Sequence, residues 1–217
     1  PGEARPDWQI LCDMARAVGY PMPAYTHPRE IYAELAGLSD KFAGIRHERL
    51  GTQGLQWPCP DPEHPGTETL HQDGPIKGKG TFMPVVYRPS EELPDSEFPF
   101  LLSTGRTLYH YNSATQTLRA KGAVARQPVN FVEMHRRDAR KRGLEDGQVV
   151  QVSSRRGAIQ ATVVVSPRMR PGCVWMPLHF PDQLTNRLTN DAGDAVTNTA
   201  EYKVCAVRIE ALPVAAK

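Results

Sequence analysis

The run Ser103-Thr104-Gly105-Arg106-Thr107-Leu108-Tyr109-His110-Tyr111 packs hydroxyls, a glycine, a guanidinium and an imidazole directly behind an apolar stretch, Phe98 to Leu102. Such a turn can offer an anion backbone N–H groups, a planar cation and aromatic edges together. Two further residues are oddly placed for mere solubility. One is Asn186, in Thr185-Asn186-Arg187-Leu188-Thr189. The other is Lys203, which with Tyr202 opens an otherwise apolar run to Ile209. A lysine at that point also suits an edge strand that must avoid pairing, so the residues alone leave both readings open. No Gly-x-Ser-x-Gly elbow or P-loop occurs. The seven histidines form no H-x-x-x-H pair. Neither a catalytic residue nor a protein-ligated metal is expected in this chain.

Composition sets the frame for these residues. At 217 residues, with 40% hydrophobic and 23% charged side chains, the chain can bury a real core as one large domain or two small ones. A formal net charge of +2 supplies no field that would recruit nucleic acid or a membrane. The basic run His135 to Arg142 is broken by Asp138 and Ala139 and lacks aromatics, so it reads as a solvated helix face, with no nucleic-acid partner. No apolar stretch reaches membrane-spanning length and no secretory signal opens the chain, so membrane insertion is not expected and the cytoplasm is. The four cysteines, Cys12, Cys59, Cys173 and Cys205, lie far apart without a C-x-x-C pair and read as reduced, partly buried thiols. The chain begins with Pro1 rather than Met, which suggests a trimmed product or a piece of something longer.

The elements that must position the loop follow from periodicity. Asp7 caps a helix with Trp8, Leu11, Met14, Ala15 and Val18 near one face and Gly19 as its stop. A second helix is expected from Pro28 to Leu38. These two cannot make a core alone, so residues 1–50 read as a helical segment of an upstream domain. Residues 51–97, dense in proline and glycine, read as an extended wrapping linker, with Thr81 to Tyr87 as its one strand. Residues 98–217 are β-rich. Strands are expected at Phe98–Ser103, Val129–Glu133, Val149–Ser154, Ala158–Val165, Gly172–Met176 and Tyr202–Ile209, and a short helix at His135 to Arg142. Arg155-Arg156-Gly157 supplies a hairpin turn in which Gly157 can take positive φ. The helix ends at Gly143, Leu144 plugs the core, Asp146-Gly147 turns, and Val149, Val150 and Val152 enter the barrel. Short strands with long crossovers predict a mainly β fold with flanking helices, a closed barrel rather than a doubly wound sheet.

The stretches LLSTGRTLYHYNSATQT, DARKRGLEDGQVVQVSSRRG, RPGCVWMPLHF, TNRLTN and EYKVCAVRIE resemble, in that order, the C-terminal molybdopterin-dinucleotide-binding domain of the dimethyl sulfoxide reductase family of molybdenum and tungsten oxidoreductases. Within it the chain looks most like formate dehydrogenase alpha subunits, and GLQWPCPDPEHPGTETLH followed by GKGTF extends that likeness upstream. The resemblance implies a double-psi β-barrel that binds molybdopterin guanine dinucleotide, two copies of which surround one molybdenum or tungsten. It implies that Thr104, Gly105, Arg106, His110, Tyr111, Thr115 and Thr117 hold the cofactor from one side, and Asn186, Tyr202 and Lys203 from another. A buried Lys203 would then have an anionic partner. The family commonly has His-Thr-Gly and then an Arg pair where this chain has Asn112-Ser113-Ala114 and Leu118-Arg119. Contacts at positions 112–114 therefore do not transfer. The family's iron–sulfur cysteines and metal ligand lie upstream of the matched region. The implied partners are accordingly the remainder of the catalytic subunit and iron–sulfur electron-transfer subunits. The alternatives are the same domain of a nitrate reductase and a stand-alone, non-catalytic barrel module.

Overall fold

The structure is a computed structural model and describes residues 2–213. It forms two compact units, Pro1–Pro84 and Val85–Lys217. In the first, α1 spans Asp7–Ala17 and α2 spans Pro28–Leu38. Asp7 is the first helical residue rather than the cap. Pro6 holds the cap position, and the helix N-terminus has no side-chain hydrogen bond. Its other end closes as expected: Gly19 takes φ +73°, and the amides of Gly19 and Tyr20 reach back to Arg16 and Ala15, the paired bonds that a left-handed glycine permits. At the start of α2, Pro28 loses no bond by lacking an N–H, and His27 Nδ1 accepts from the Arg29 amide at 3.2 Å. The apolar stripe of α1 stays largely uncovered. Leu11, Met14 and Val18 are exposed and only Ala15 is buried.

Thr81 to Tyr87 is not a strand. Its composition suits one, but a strand needs a hydrogen-bonded neighbour, and this segment has none: Phe82 is 100% exposed and Tyr87 84%.

The second unit is a closed six-stranded barrel of double-psi type with strand order β1-β5-β2-β4-β3-β6. The strands are β1 (Phe100–Gly105), β2 (Phe131–Met134), β3 (Val149–Ser153), β4 (Ala158–Val165), β5 (Cys173–Pro177) and β6 (Cys205–Ala211). The pairs β1–β5 and β2–β4 are parallel and the other four are antiparallel. Parallel neighbours distant in sequence require crossovers, here filled by α3 (Lys121–Arg126), which periodicity did not reveal, and α4 (Arg136–Lys141).

Alternation decides what fills the barrel. Val150 and Val152 are fully buried with Leu102, Met134, Val163 and Val174, while Val149 is 46% exposed. Val149 therefore does not enter the core, because successive strand residues point to opposite faces. At the end of α4, Gly143 takes φ +64° and Leu144 is buried. Between β3 and β4 the turn at Ser154–Gly157 closes with Ser154 N–H to Gly157 O at 2.8 Å, and Gly157 does so without a positive φ. Its bare Cα instead faces the Arg187 carbonyl, 3.3 Å from where a Cβ would stand.

Candidate functional site

β1 carries the expected loop at its C-terminal end. Thr104 is buried within the strand, and its Oγ donates to the Tyr202 carbonyl at 3.3 Å. Lys203 Nζ reaches the Thr104 carbonyl at 3.4 Å and lies 5.7 Å from the Tyr202 ring centre. Residues a hundred positions apart thus meet at one end of the barrel. Lys203 precedes β6 in a turn and is exposed, so it is neither the buried lysine that the resemblance implied nor the first residue of a strand. Its ammonium keeps its hydration and stays available to an anion.

Gly105 ends the strand against Trp175, whose Nε1 would lie 2.7 Å from an added Cβ. The glycine is required by that close approach. Arg106, Tyr111 and Thr115 are exposed, and no ion pair holds Arg106 among the described residues. Thr107 Oγ is buried and has no hydrogen-bond partner.

His110 is buried and Thr117 half-buried. The His110 Nε2–H donates to the Gln127 carbonyl at 2.8 Å. The other nitrogen, Nδ1, is hydrogen-bonded with Thr117 Oγ at 3.0 Å. Thr117 Oγ in turn accepts from the Tyr111 amide at 3.3 Å. Both ring nitrogens of His110 are therefore engaged in shaping the loop.

His179, which the sequence reading did not single out, is 1% exposed and completes the loop's support. Its Nε2 accepts from the Thr107 amide at 2.8 Å and its Nδ1 faces the Asn112 carbonyl. Burial first, then the neighbouring His110 and Arg106, push its pKa below the usual histidine value, against the pull of the Asn112 carbonyl. The ring is thus held neutral. The His110, His179 and Phe180 rings pack together at centroid distances of 5.4–6.4 Å.

Asn186 is presented outward by two inward neighbours. Thr185 Oγ donates to the Pro177 carbonyl at 2.6 Å and accepts from Asn130 Nδ2 at 3.2 Å, and Leu188 is fully buried. Asn190, also missed in the sequence, ties this turn to the segment before β6 through Nδ2 to the Val204 carbonyl at 2.8 Å. Asn186, Thr189, Asn190, Leu178, Ala200 and Tyr202 line a cavity of about 340 Å³. A larger one, about 480 Å³ between α2 and residues 40–48, belongs to the first unit and contains none of these groups.

The structure therefore brings together Thr104, Tyr202 and Lys203, with Asn186 beside Tyr202. It keeps His110 and Thr117 as internal supports and leaves Thr115 at the surface, where its hydroxyl has only Ser113 at 3.5 Å. The exposed donors suit an elongated phosphate-bearing ligand: a free guanidinium, an accessible ammonium and an asparagine amide. Among the described residues no cluster of side chains could hold a metal ion, and no helix is long and apolar enough to cross a membrane.

The mixed barrel sets an arginine-bearing loop beside a lysine turn, and residues 100–206, which carry both, match the Molydopterin dinucleotide binding domain family. The chain is similar over 97% of its length to two formate dehydrogenase subunits. These are the F420-dependent formate dehydrogenase 2 subunit alpha of Methanococcus maripaludis, 42% identical, and the F420-dependent formate dehydrogenase subunit alpha of Methanocaldococcus jannaschii, 40% identical. It is also 36% identical, over 96% of the chain, to the assimilatory nitrate reductase catalytic subunit of Bacillus subtilis. The chain spans about a third of the length of these relatives, 31–32%.

Proposed function

We propose that the chain is the cofactor-binding portion of a formate dehydrogenase catalytic subunit and grips a molybdopterin guanine dinucleotide between the loop after β1 and the turn before β6. The observation that carries this reading is the pair of bonds from Thr104 Oγ to the Tyr202 carbonyl and from Lys203 Nζ to the Thr104 carbonyl, which set the two family motifs side by side. When bound, the cofactor and its molybdenum or tungsten supply the two-electron chemistry between formate and carbon dioxide. This chain's residues do other work. Arg106 and Lys203 neutralise phosphate charge, Asn186 and Tyr202 border the adjoining cavity, and the histidine-held loop fixes the direction of its amides. The rest of the catalytic subunit brings the metal ligand and iron–sulfur clusters, iron–sulfur subunits carry the electrons away, and the assembly works in the cytoplasm. The formate dehydrogenase alpha subunits, at 40–42% identity, support formate over nitrate as the substrate.

The test is made on the intact parent protein. It should reduce a viologen dye with formate, and acid hydrolysis should release GMP in a two-to-one ratio to the metal. Nitrate reduction without formate oxidation would transfer the chain to the nitrate reductase branch, and a preparation active without guanine would end the dinucleotide reading.

A further inference from the structure

We infer that His179 is a positioning residue that clips the loop 106–113 into one conformation by receiving the Thr107 N–H and supplying a proton to the Asn112 carbonyl. The inference rests on the proposed function only for what the loop holds, since the clip itself is a matter of geometry.

Between Gly105 and Ala114 the loop has little backbone bonding of its own. The Gly105 carbonyl accepts from Leu178 at 3.1 Å, and the Ala114 amide donates to Tyr111 at 2.8 Å. The Tyr111 amide reaches Thr117 Oγ. His110 anchors the loop's far end through Thr117 and Gln127, and the Thr107 and Asn112 peptides meet a second buried ring, His179. A backbone amide only donates, so the His179 nitrogen that meets Thr107 at 2.8 Å carries no proton. The proton must then sit on Nδ1, where it faces the Asn112 carbonyl. Asn112 can turn that carbonyl inward because it takes φ +48°, which asparagine tolerates better than most residues. One neutral imidazole thereby satisfies a donor and an acceptor five residues apart, with Arg106 at the entry to the clipped turn.

The sequence neighbours of His179 explain its rigidity. It is the second residue past β5, Leu178 between them bonds back to Gly105, and the ring lies 5.8 Å from His110 and 6.4 Å from Phe180. A protonated ring would point a second N–H at the Thr107 amide, so the clip needs the neutral state that burial favours. It also needs one tautomer, and that is directly observable.

Two measurements on this chain decide the matter. Imidazole ¹⁵N spectra at neutral pH should report His179 with its proton on Nδ1. Amide exchange should show Thr107 protected. In His179→Phe, which keeps a ring and loses both bonds, Thr107 should exchange about fivefold faster, the effect of one ordinary hydrogen bond, with β1 amides unchanged. His179→Gln, which retains a donor and an acceptor, should recover part of the protection. A proton on Nε2 in the native chain overturns the inference even if the phenylalanine variant fails to fold. Unchanged Thr107 exchange in a folded His179→Phe chain overturns it too. The same variant in the parent holoprotein separates the two claims: a loosened loop with undiminished guanine content leaves the clip standing and removes the dinucleotide from this loop.

Discussion

Arg156 forks onto Glu92, with Nη1 to Oε2 at 2.5 Å and Nη2 to Oε1 at 2.9 Å. The same carboxylate accepts the Ala206 amide of β6 at 2.5 Å, while Arg156 Nη2 donates to the Leu188 carbonyl at 2.8 Å. One ion pair therefore fastens the segment before β1 to the β3–β4 turn, to β6 and to the turn that bears Asn186. Its partners are mostly buried, Glu92 at 11% side-chain exposure and Arg156 at 29%, so it is worth more than a surface pair.

Acid should release this strap. The Arg156 guanidinium, then the Ala206 amide, hold the Glu92 carboxyl below the usual glutamate value, against the opposing effect of burial. A depressed folded pKa gives stability that is fully present above the unfolded value of about 4.3 and is lost as pH falls through the folded one. Glu92→Gln should cost about 2 kcal/mol at neutral pH, the range of a charge-assisted bond. Its Tm deficit should shrink as pH drops below about 4. A deficit that stays constant down to the acid limit would show that the carboxylate charge plays no part.

Arg106 should act through its charge and its fork rather than through folding. It is exposed and pairs with no carboxylate among the described residues, so Arg106→Ala should leave the chain's Tm within about 0.5 kcal/mol equivalent. In the parent protein the guanine content should fall, and Arg106→Lys should restore only part, since an ammonium cannot make two parallel bonds to phosphate. Full guanine and metal content in Arg106→Ala would remove this residue from the site.

Much of the barrel was legible because alternation within Val149–Ser153 and Ala158–Val165 is a local signal. The glycine-arginine loop was legible because its residues are contiguous. What stayed hidden depends on distance along the chain. The Thr107–His179 bond spans 72 residues, and a single histidine between Leu178 and Phe180 has no spacing to betray it. Composition misled at Thr81–Tyr87, where apolar residues without a pairing partner make no strand. It misled again at Lys203, where an apolar run opened by Tyr202 and a lysine suggested a strand from Tyr202, whereas β6 begins only at Cys205.

Gly105 should tolerate no methyl group while Trp175 stands beside it. An added Cβ would lie 2.7 Å from Nε1 and 2.9 Å from Cζ2 of the indole, and the indole is itself packed on Phe131 at 5.5 Å. Gly105→Ala should cost about 1–3 kcal/mol, as overpacking does. Shrinking the neighbour should relieve it, so the two losses in Gly105→Ala with Trp175→Leu should sum to more than the double variant loses. Urea unfolding followed by circular dichroism measures all three, and strict additivity would refute the clash.

Ala114 offers the sharpest check on the loop's backbone. It is fully buried and takes φ +61°, at a position where the resembled family carries glycine. Its amide donates to the Tyr111 carbonyl and its carbonyl accepts from Leu118, each at 2.8 Å, so the left-handed conformation is held by bonds on both sides. An L-residue there carries a steric cost of about 1–2 kcal/mol, while its buried methyl contributes about 0.8 kcal/mol. Ala114→Gly removes both, and it adds the glycine's extra unfolded-state freedom, which costs about 0.5–1 kcal/mol. The contributions nearly cancel. Ala161, 2% exposed in β4, is the control: the same substitution there loses a buried methyl and gains freedom with no positive φ to relieve. Ala114→Gly should therefore be less damaging than Ala161→Gly by about 1 kcal/mol or more. Equal losses in urea unfolding would mean that the loop bears no backbone strain at Ala114, and that its shape owes nothing to the left-handed turn between His110 and Thr117.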